Sequence, residues 1–337
     1  MVDLTTQYMG LRLKNPIIAG ASSLTADLDS IKNIERAGAA AIVTKSLFEE
    51  EIQIERFKFD EDLEKYNDRH AEMTTIFPHL EHAGSKEHLY WVKKTKDAVS
   101  IPVIASLNAV NGETWIEYAQ QLEGTGVDGL ELNFFAVPKQ FDLEGAAIEK
   151  EQLNILKQIK KHISIPVSVK LSALYSNPLN FINQLDKIGV DGFVLFNRFF
   201  EPDIDVNKQK NRFPFNLSDR TDNRFPLRFA GLLYDHLEGD ICSSTGIYEA
   251  EDVIKMLLAG AQCVQVVSTL YKNNIYQITK MLDQMTEWMK QKEYSSIDDF
   301  RGKLSKENAT DPWAYTRAQY VRLLLNPDEI VNNFPVV

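Results

Sequence analysis

The chain is poor in cysteine. Cys242 and Cys263 are the only two in 337 residues, and neither sits in a metal-like cluster. That usage argues against a disulfide framework, a zinc site or an iron–sulfur centre, and leaves two buried thiols in a cytoplasmic protein as the expectation. Long apolar runs are missing too. No stretch reaches the length of a bilayer span, and the opening Met1-Val2-Asp3-Leu4-Thr5 lacks the basic-then-apolar order of a signal peptide. Positive charge is scarce: 37 Lys and Arg stand against 48 Asp and Glu, a net charge of −11. This disfavours a nucleic-acid surface or an anionic membrane as partner. No Gly-x-Gly-x-x-Gly follows an early apolar run, so the dinucleotide turn of an open α/β sheet has no counterpart. Linkers and low-complexity tracts are absent as well, which predicts one domain over residues 1–337.

What the chain has is a repeat of short apolar runs. One set follows a proline or an acidic turn, at residues 15–20, 101–106, 165–170 and 239–244. A second set follows a helix-ending glycine, at residues 38–45, 126–133, 189–197 and 260–268. The two alternate along the chain, and amphipathic stretches separate them, such as residues 113–122 with Ile116, Ala119 and Leu122 on one face. Eight runs that are apolar throughout, each with a following helix, predict an all-parallel sheet covered on its outer side. Closure into a (β/α)8 barrel is the expected fold, with a core over about residues 11–304, an N-terminal extension and a helical tail over residues 305–337. A doubly wound open sheet is the alternative. Two segments interrupt the repeat, residues 48–84 and 198–222, and loops of this length on a barrel point to lids over a site.

Barrel chemistry gathers where strands end at the C-terminal face. The runs here end in Lys45, Asn108, Asn133, Lys170 and Asn197, and in the small-residue stretches Ala19-Gly20-Ala21, Ser244-Thr245-Gly246 and Val267-Ser268-Thr269. For either lysine alone a structural ion pair is an equal reading. As a set, two lysines and three asparagines at the ends of apolar runs imply a polar ligand. Small residues after the last two runs suit backbone amides that hold a phosphate.

These residues carry a resemblance. Leu13-Lys14-Asn15-Pro16, Val43-Thr44-Lys45-Ser46, Glu131-Leu132-Asn133, Val169-Lys170-Leu171, Asn197, Ser244-Thr245-Gly246-Ile247, Gln265 to Leu270 and the closing segment 297–304 are similar to motifs of the dihydroorotate dehydrogenase family. The resemblance implies an FMN-binding barrel and a homodimer. It implies flavin contacts from Ala19, Gly20, Ala21, Lys45, Ser46, Asn133, Lys170, Ser244, Thr245, Gly246, Val267 and Ser268. It implies substrate contacts from Lys45, Asn108, Asn133 and Asn197. The expected chemistry is hydride transfer between flavin and a C–C bond next to a carbonyl of a dihydroorotate-like substrate, with the electron acceptor unassigned.

The departures are specific. The family's catalytic Cys or Ser position is Ala136, which cannot take a proton, and two phosphate-site glycines appear as Thr245 and Val267. Tyr175, His79 and His82 are the replacement acids the sequence offers. Phe134 and Phe135 are equally readable as a wall over the flavin or as core. Two further functions follow from these residues: a flavin- or pyrimidine-binding barrel without turnover, from Ala136, and a lyase or isomerase with a Schiff-base lysine at Lys170 or Lys45.

Overall fold

The computed structural model describes residues 2–48, 85–108, 112–134, 141–198, 202–212 and 217–316, together with 321 and 325. The chain opens with a hairpin, β1 (Thr6–Tyr8) and β2 (Leu11–Leu13), whose strands pair antiparallel. Its two-residue turn puts both Met9 (φ 55°) and Gly10 (φ 73°) in the left-handed region, the geometry that matches strand twist in a tight hairpin. Met9 tolerates this because its N–H donates to Asp240 Oδ2 at 2.7 Å while its side chain is buried.

Strands and helices then alternate: β3 (Ile17–Ala19), α1 (Leu28–Arg36), β4 (Ala41–Val43), the short β5 (Leu47–Phe48) and α2 (Ser85–Ala98). Next come β6 (Val103–Asn108), α3 (Gly112–Glu123), β7 (Gly129–Phe134), α4 (Gly145–His162), β8 (Val167–Leu171) and α5 (Pro178–Asp186). After β9 (Gly192–Leu195) a second hairpin, β10 (Asp203–Asp205) and β11 (Lys210–Arg212), precedes α6 (Arg224–Leu233). The chain continues through β12 (Asp240–Ser244), α7 (Ala250–Ala259), β13 (Cys263–Val266), α8 (Ser268–Asn273) and α9 (Gln277–Gln291). Eight strands pair parallel in the order β3, β4, β6, β7, β8, β9, β12, β13, and β13 returns to β3. The ring is closed, and the predicted (β/α)8 barrel is the fold.

Strand alternation divides the buried side chains into two cores. On β7, Leu130, Leu132 and Phe134 point outward under the helices; on β8, Val167, Val169 and Leu171 do the same. Ile18, Ala41, Val43, Ile104, Val194, Cys242 and Cys263 form an inner core, closed from below by Tyr8, Met9 and Leu13 of the first hairpin. Gly192 leaves room for that plug, since a Cβ there would lie 2.9 Å from Met9 Cγ. Phe134 therefore belongs to the outer core and meets Trp115 edge-on at 5.4 Å. On α3 the buried face is Trp115, Tyr118, Ala119 and Leu122, with Ile116 half-buried at its margin. The aromatic side chains take the centre of the face because they cover more of the sheet.

A repeated device fixes two strand entries. Asp128 accepts from Val103 N at 2.7 Å and pairs with Lys96 at 2.6 Å; Asp191 accepts from Val167 N at 2.8 Å and pairs with Lys160 at 2.6 Å. Each lies in a Gly-Val-Asp-Gly sequence, so one local solution serves both halves of the barrel. The segment 305–316 packs Tyr315 over Gly231, with Arg228 Nη2 donating to Tyr315 O at 2.7 Å. No described helix is long and apolar enough to cross a membrane.

Candidate active site

The polar strand ends converge on the C-terminal mouth. A lobe of about 340 Å³ is lined by Lys45, Ser46, Asn108, Asn133, Lys170 and Asn197, with Ser22, Ser23, Phe48 and Tyr271 from the surrounding loops. A narrower lobe of about 160 Å³ is lined by Ser244, Thr245, Gly246, Ile247 and Ser268, with Leu217, Ser218 and Gln265. Ala21, Lys170, Asn197, Arg198 and Val267 line both, so the lobes are continuous. Ala19 is buried in the outer core, and Gly20 lies behind Val267.

Hydrogen bonds fix these groups in advance. Asn197 Nδ2 donates to Asn133 Oδ1 at 2.9 Å, and Ser46 Oγ lies 2.7 Å from Ser106 Oγ. Lys170 Nζ donates to Gln265 Oε1 at 3.2 Å and lies 3.8 Å from Glu131 Oε1. Gln265 Nε2 donates to Glu131 Oε2, so a fully buried carboxylate faces the lysine through a shared amide.

In the narrow lobe, Gly246 N donates to Ser218 Oγ at 3.3 Å, and Ser218 Oγ donates to Ser268 Oγ at 2.9 Å. Thr245 sits at φ 80°, where its Oγ1 donates to Phe196 O at 2.9 Å. A β-branched residue is strained in that conformation, and the hydroxyl bond offsets part of the cost. Behind the lobe, Asp252 accepts from Tyr248 N, Glu249 N and Asn223 Nδ2, each at 3.0 Å. Val267 is accommodated by Gly20, where a Cβ would lie 2.8 Å from Val267 Cγ2.

The electrostatics are one-sided. Among the described residues the lining holds three cations, Lys45, Lys170 and Arg198, and no carboxylate. Asp222 Oδ2 lies 3.3 Å from Arg198 Nη1, and Glu131 sits beneath Lys170. In a chain of net charge −11, this selects an anion. His88 on α2 adds a neutral group nearby. Its Nε2 is buried without a hydrogen-bond partner among the described residues, and burial together with the Lys45 charge pushes its pKa down to about 4.

Of the proton-transfer positions, Ala136, His79 and His82 lie outside the described residues. Tyr175 is placed away from the cavity: its hydroxyl donates to Gln152 Oε1 at 2.9 Å and its ring stacks on Phe181 at 4.4 Å. Burial pushes the Tyr175 phenol well above its ordinary value. Arg198, Ser218, Gln265 and Tyr271 were not anticipated as site residues. The signal for Arg198 was its place beside Asn197, for Ser218 its place in the 198–222 interruption, and for Gln265 an amide inside an apolar run; Tyr271 carries no sequence signal.

A family model described as dihydroorotate dehydrogenase matches residues 79–289, more than half of the chain. The chain belongs to the dihydroorotate dehydrogenase family. Relatives include the dihydroorotate dehydrogenase B (NAD(+)) catalytic subunit of Thermoplasma acidophilum, 27% identical over 310 residues that cover 90% of this chain and 99% of the relative. The corresponding subunit of Methanocaldococcus jannaschii is 26% identical over 301 residues, covering 86% and 94%. The dihydroorotate dehydrogenase A (fumarate) of Lactobacillus delbrueckii subsp. bulgaricus is 25% identical over 187 residues, covering 52% and 59%.

Members of the dihydroorotate dehydrogenase family are FMN-binding flavoproteins. The residues present fit that group: hydroxyls and the Gly246 turn occupy the narrow lobe, the polar residues of the wide lobe expose mostly carbon surface with amides at its edge, and Lys170 borders both. Among the described residues no group of three or more His, Cys, Asp or Glu could hold a metal ion.

Proposed function

We propose that this chain is an FMN-dependent oxidoreductase that moves a hydride between flavin and a C–C bond adjacent to a carbonyl of a dihydropyrimidine-like cyclic imide. The observation that carries the reading is the continuous cavity, lined by no carboxylate among the described residues, that gathers Lys45, Asn108, Asn133, Lys170 and Asn197 at the barrel mouth. Bound FMN supplies two-electron chemistry. The protein residues do the rest. Ser244, Thr245, Gly246 and Ser268, which line the narrow lobe, would hold the phosphate. Lys170, which lines both lobes, would hold a positive charge beside the flavin and favour its anionic reduced form. Asn133 and Asn197, already bonded to each other, present one donor and one acceptor to an imide edge. Lys45 and Asn108 close the wide lobe beside them.

Ala136 removes the family's proton acceptor, which supports an imide other than dihydroorotate as substrate. It also favours a second reading, a flavin-binding barrel without turnover. The Schiff-base reading loses support at Lys170, whose amine is engaged by Gln265 and Glu131. The B-type relatives, named as catalytic subunits, align over nearly their whole length, which supports a separate electron-carrying partner for this chain.

The test is the visible spectrum. Purified protein shows a flavin band, alone or after FMN is added, and anaerobic dihydropyrimidines bleach it. A colourless protein overturns the flavin reading. A yellow protein that no dihydropyrimidine or enone bleaches supports the binding reading, and bleaching by dihydroorotate restores that substrate.

A further inference from the structure

We infer that Glu131, through Gln265, sets the charge that a bound flavin meets at Lys170, and so acts as a positioning residue for the redox step. The inference rests on the flavin reading of the cavity. Three polar side chains from β7, β8 and β13 meet in the barrel interior above the apolar layer formed with Tyr8, Cys242 and Cys263. A carboxylate inside an apolar strand is costly unless paired, yet Glu131 is 0% exposed. Its Oε2 takes the Gln265 amide. Its Oε1 has no hydrogen-bond partner among the described residues and lies 3.8 Å from Lys170 Nζ.

Gln265 bridges the pair: its N–H goes to the acid and its carbonyl accepts from the lysine at 3.2 Å. Lys170 lines both lobes while Glu131 lines neither, so a ligand that spans the cavity lies against the ammonium with the carboxylate behind it. Glu131 thus opposes the lysine's field from the far side. It costs the reduced flavin, which carries the added negative charge, part of its stabilisation.

Replacing Glu131 with glutamine keeps the shape and removes the opposing charge. In FMN-loaded protein, Glu131→Gln raises the equilibrium constant for two-electron reduction about tenfold, a midpoint shift of about +30 mV. Glu131→Asp, which withdraws the carboxylate by one methylene, gives a smaller shift of the same sign and carries the test if the glutamine variant does not fold. The affinity of the oxidised flavin for sulfite, an anionic adduct that senses the same field, rises in parallel. Reductive titration against reference dyes and a sulfite titration read both effects. Folded, yellow variants with an unchanged or lowered potential overturn the inference. Wild-type protein that takes up no FMN overturns it together with the flavin reading. Flavin that binds, shifts as expected and is bleached by no dihydropyrimidine overturns only the proposed substrate.

Discussion

Replacing Asp252 with asparagine should loosen the narrow lobe without touching anything that lines it. Asp252 is 1% exposed, at the start of α7, and its two oxygens divide the work. Oδ2 accepts from Tyr248 N and Glu249 N at 3.0 Å each, which ties down the end of the loop that begins with Thr245 and Gly246. Oδ1 accepts from Asn223 Nδ2 at 3.0 Å, and the same Asn223 amide donates to Gly246 O at 3.3 Å. Arg220 adds a half-exposed partner at 3.4 Å, which solvent screening reduces to little. The aspartate is therefore the point through which β12's loop and the 220–223 turn hold each other.

Asparagine keeps one acceptor oxygen and turns an NH2 toward donors. With its oxygen toward the two backbone donors, asparagine loses the bond from Asn223, worth about 1.5–3 kcal/mol, weakens the other two from charged to neutral by about 1 kcal/mol each, and leaves a buried N–H facing another. The expected loss is about 3–5 kcal/mol, a large part of the roughly 5–15 kcal/mol that stabilises an ordinary protein. Urea unfolding measures it. FMN affinity should fall at least about tenfold if the phosphate loop moves, because 1.4 kcal/mol of misplacement is enough for that factor. A stability loss below about 1 kcal/mol with unchanged FMN affinity would refute the claim that Asp252 organises this loop.

Three further outcomes follow from other residues. His88 is held neutral, with its folded pKa near 4 against 6.5 in the unfolded chain, so the unfolded state binds the extra proton. Stability is intact above pH 6.5 and is lost as pH falls toward 4, by about 2 kcal/mol at pH 5. The difference between wild type and His88→Leu in denaturant midpoints from pH 7 to 4.5 isolates this slope, and parallel curves would contradict it. At Thr245, glycine should be tolerated better than alanine by about 1 kcal/mol, because both lose the bond to Phe196 O and only glycine relieves φ 80°. Thermal unfolding of the two variants gives the order, and an alanine variant at least as stable would remove the strain argument. Ala136→Cys should create anaerobic bleaching by dihydroorotate where wild type shows none, a gain of at least about 10²-fold for a restored general base. No gain in stopped-flow reduction would show that the thiol was not what the chain lacked.

The barrel was legible because its strands are buried on both sides and read as continuous apolar runs broken by glycine and proline. The mouth was legible for a related reason. Lys45, Asn108, Asn133, Lys170 and Asn197 sit at the ends of such runs, where burial alone would place no amide or ammonium. What runs along one strand can be read from it; what crosses between strands cannot. The Glu131–Gln265–Lys170 contact depends on the register of three strands that are distant in sequence, and Ser218 reaches Ser268 from 50 residues away. Tyr175 follows Lys170 closely, yet it turns outward to Gln152, because the loop after β8 packs on α4 and α5. One choice left open by composition was decidable from parity. Phe134 alternates with Asn133, so if Asn133 faces the mouth, Phe134 must face the helices.

The departures from the family pattern are of two kinds. Thr245 and Val267 replace glycines, and each is absorbed locally: the Thr245 hydroxyl takes the Phe196 carbonyl, and the Val267 branch lies over Gly20, where a Cβ would not fit. Both changes leave a backbone amide, which is all that the proposed phosphate contact needs. Ala136 lies outside the described residues. Among the described lining residues the titratable side chains are Lys45, Lys170, Arg198 and Tyr271, and the three cations suit holding negative charge better than collecting a proton. On the proposed reading, electron handling and proton handling are separable: the groups that would place and tune a flavin are tied into the described strands, whereas the family's proton-acceptor position, Ala136, follows β7 outside the described residues. That separation is why a restored thiol and a neutralised Glu131 should act independently, one on the rate of bleaching and the other on the potential.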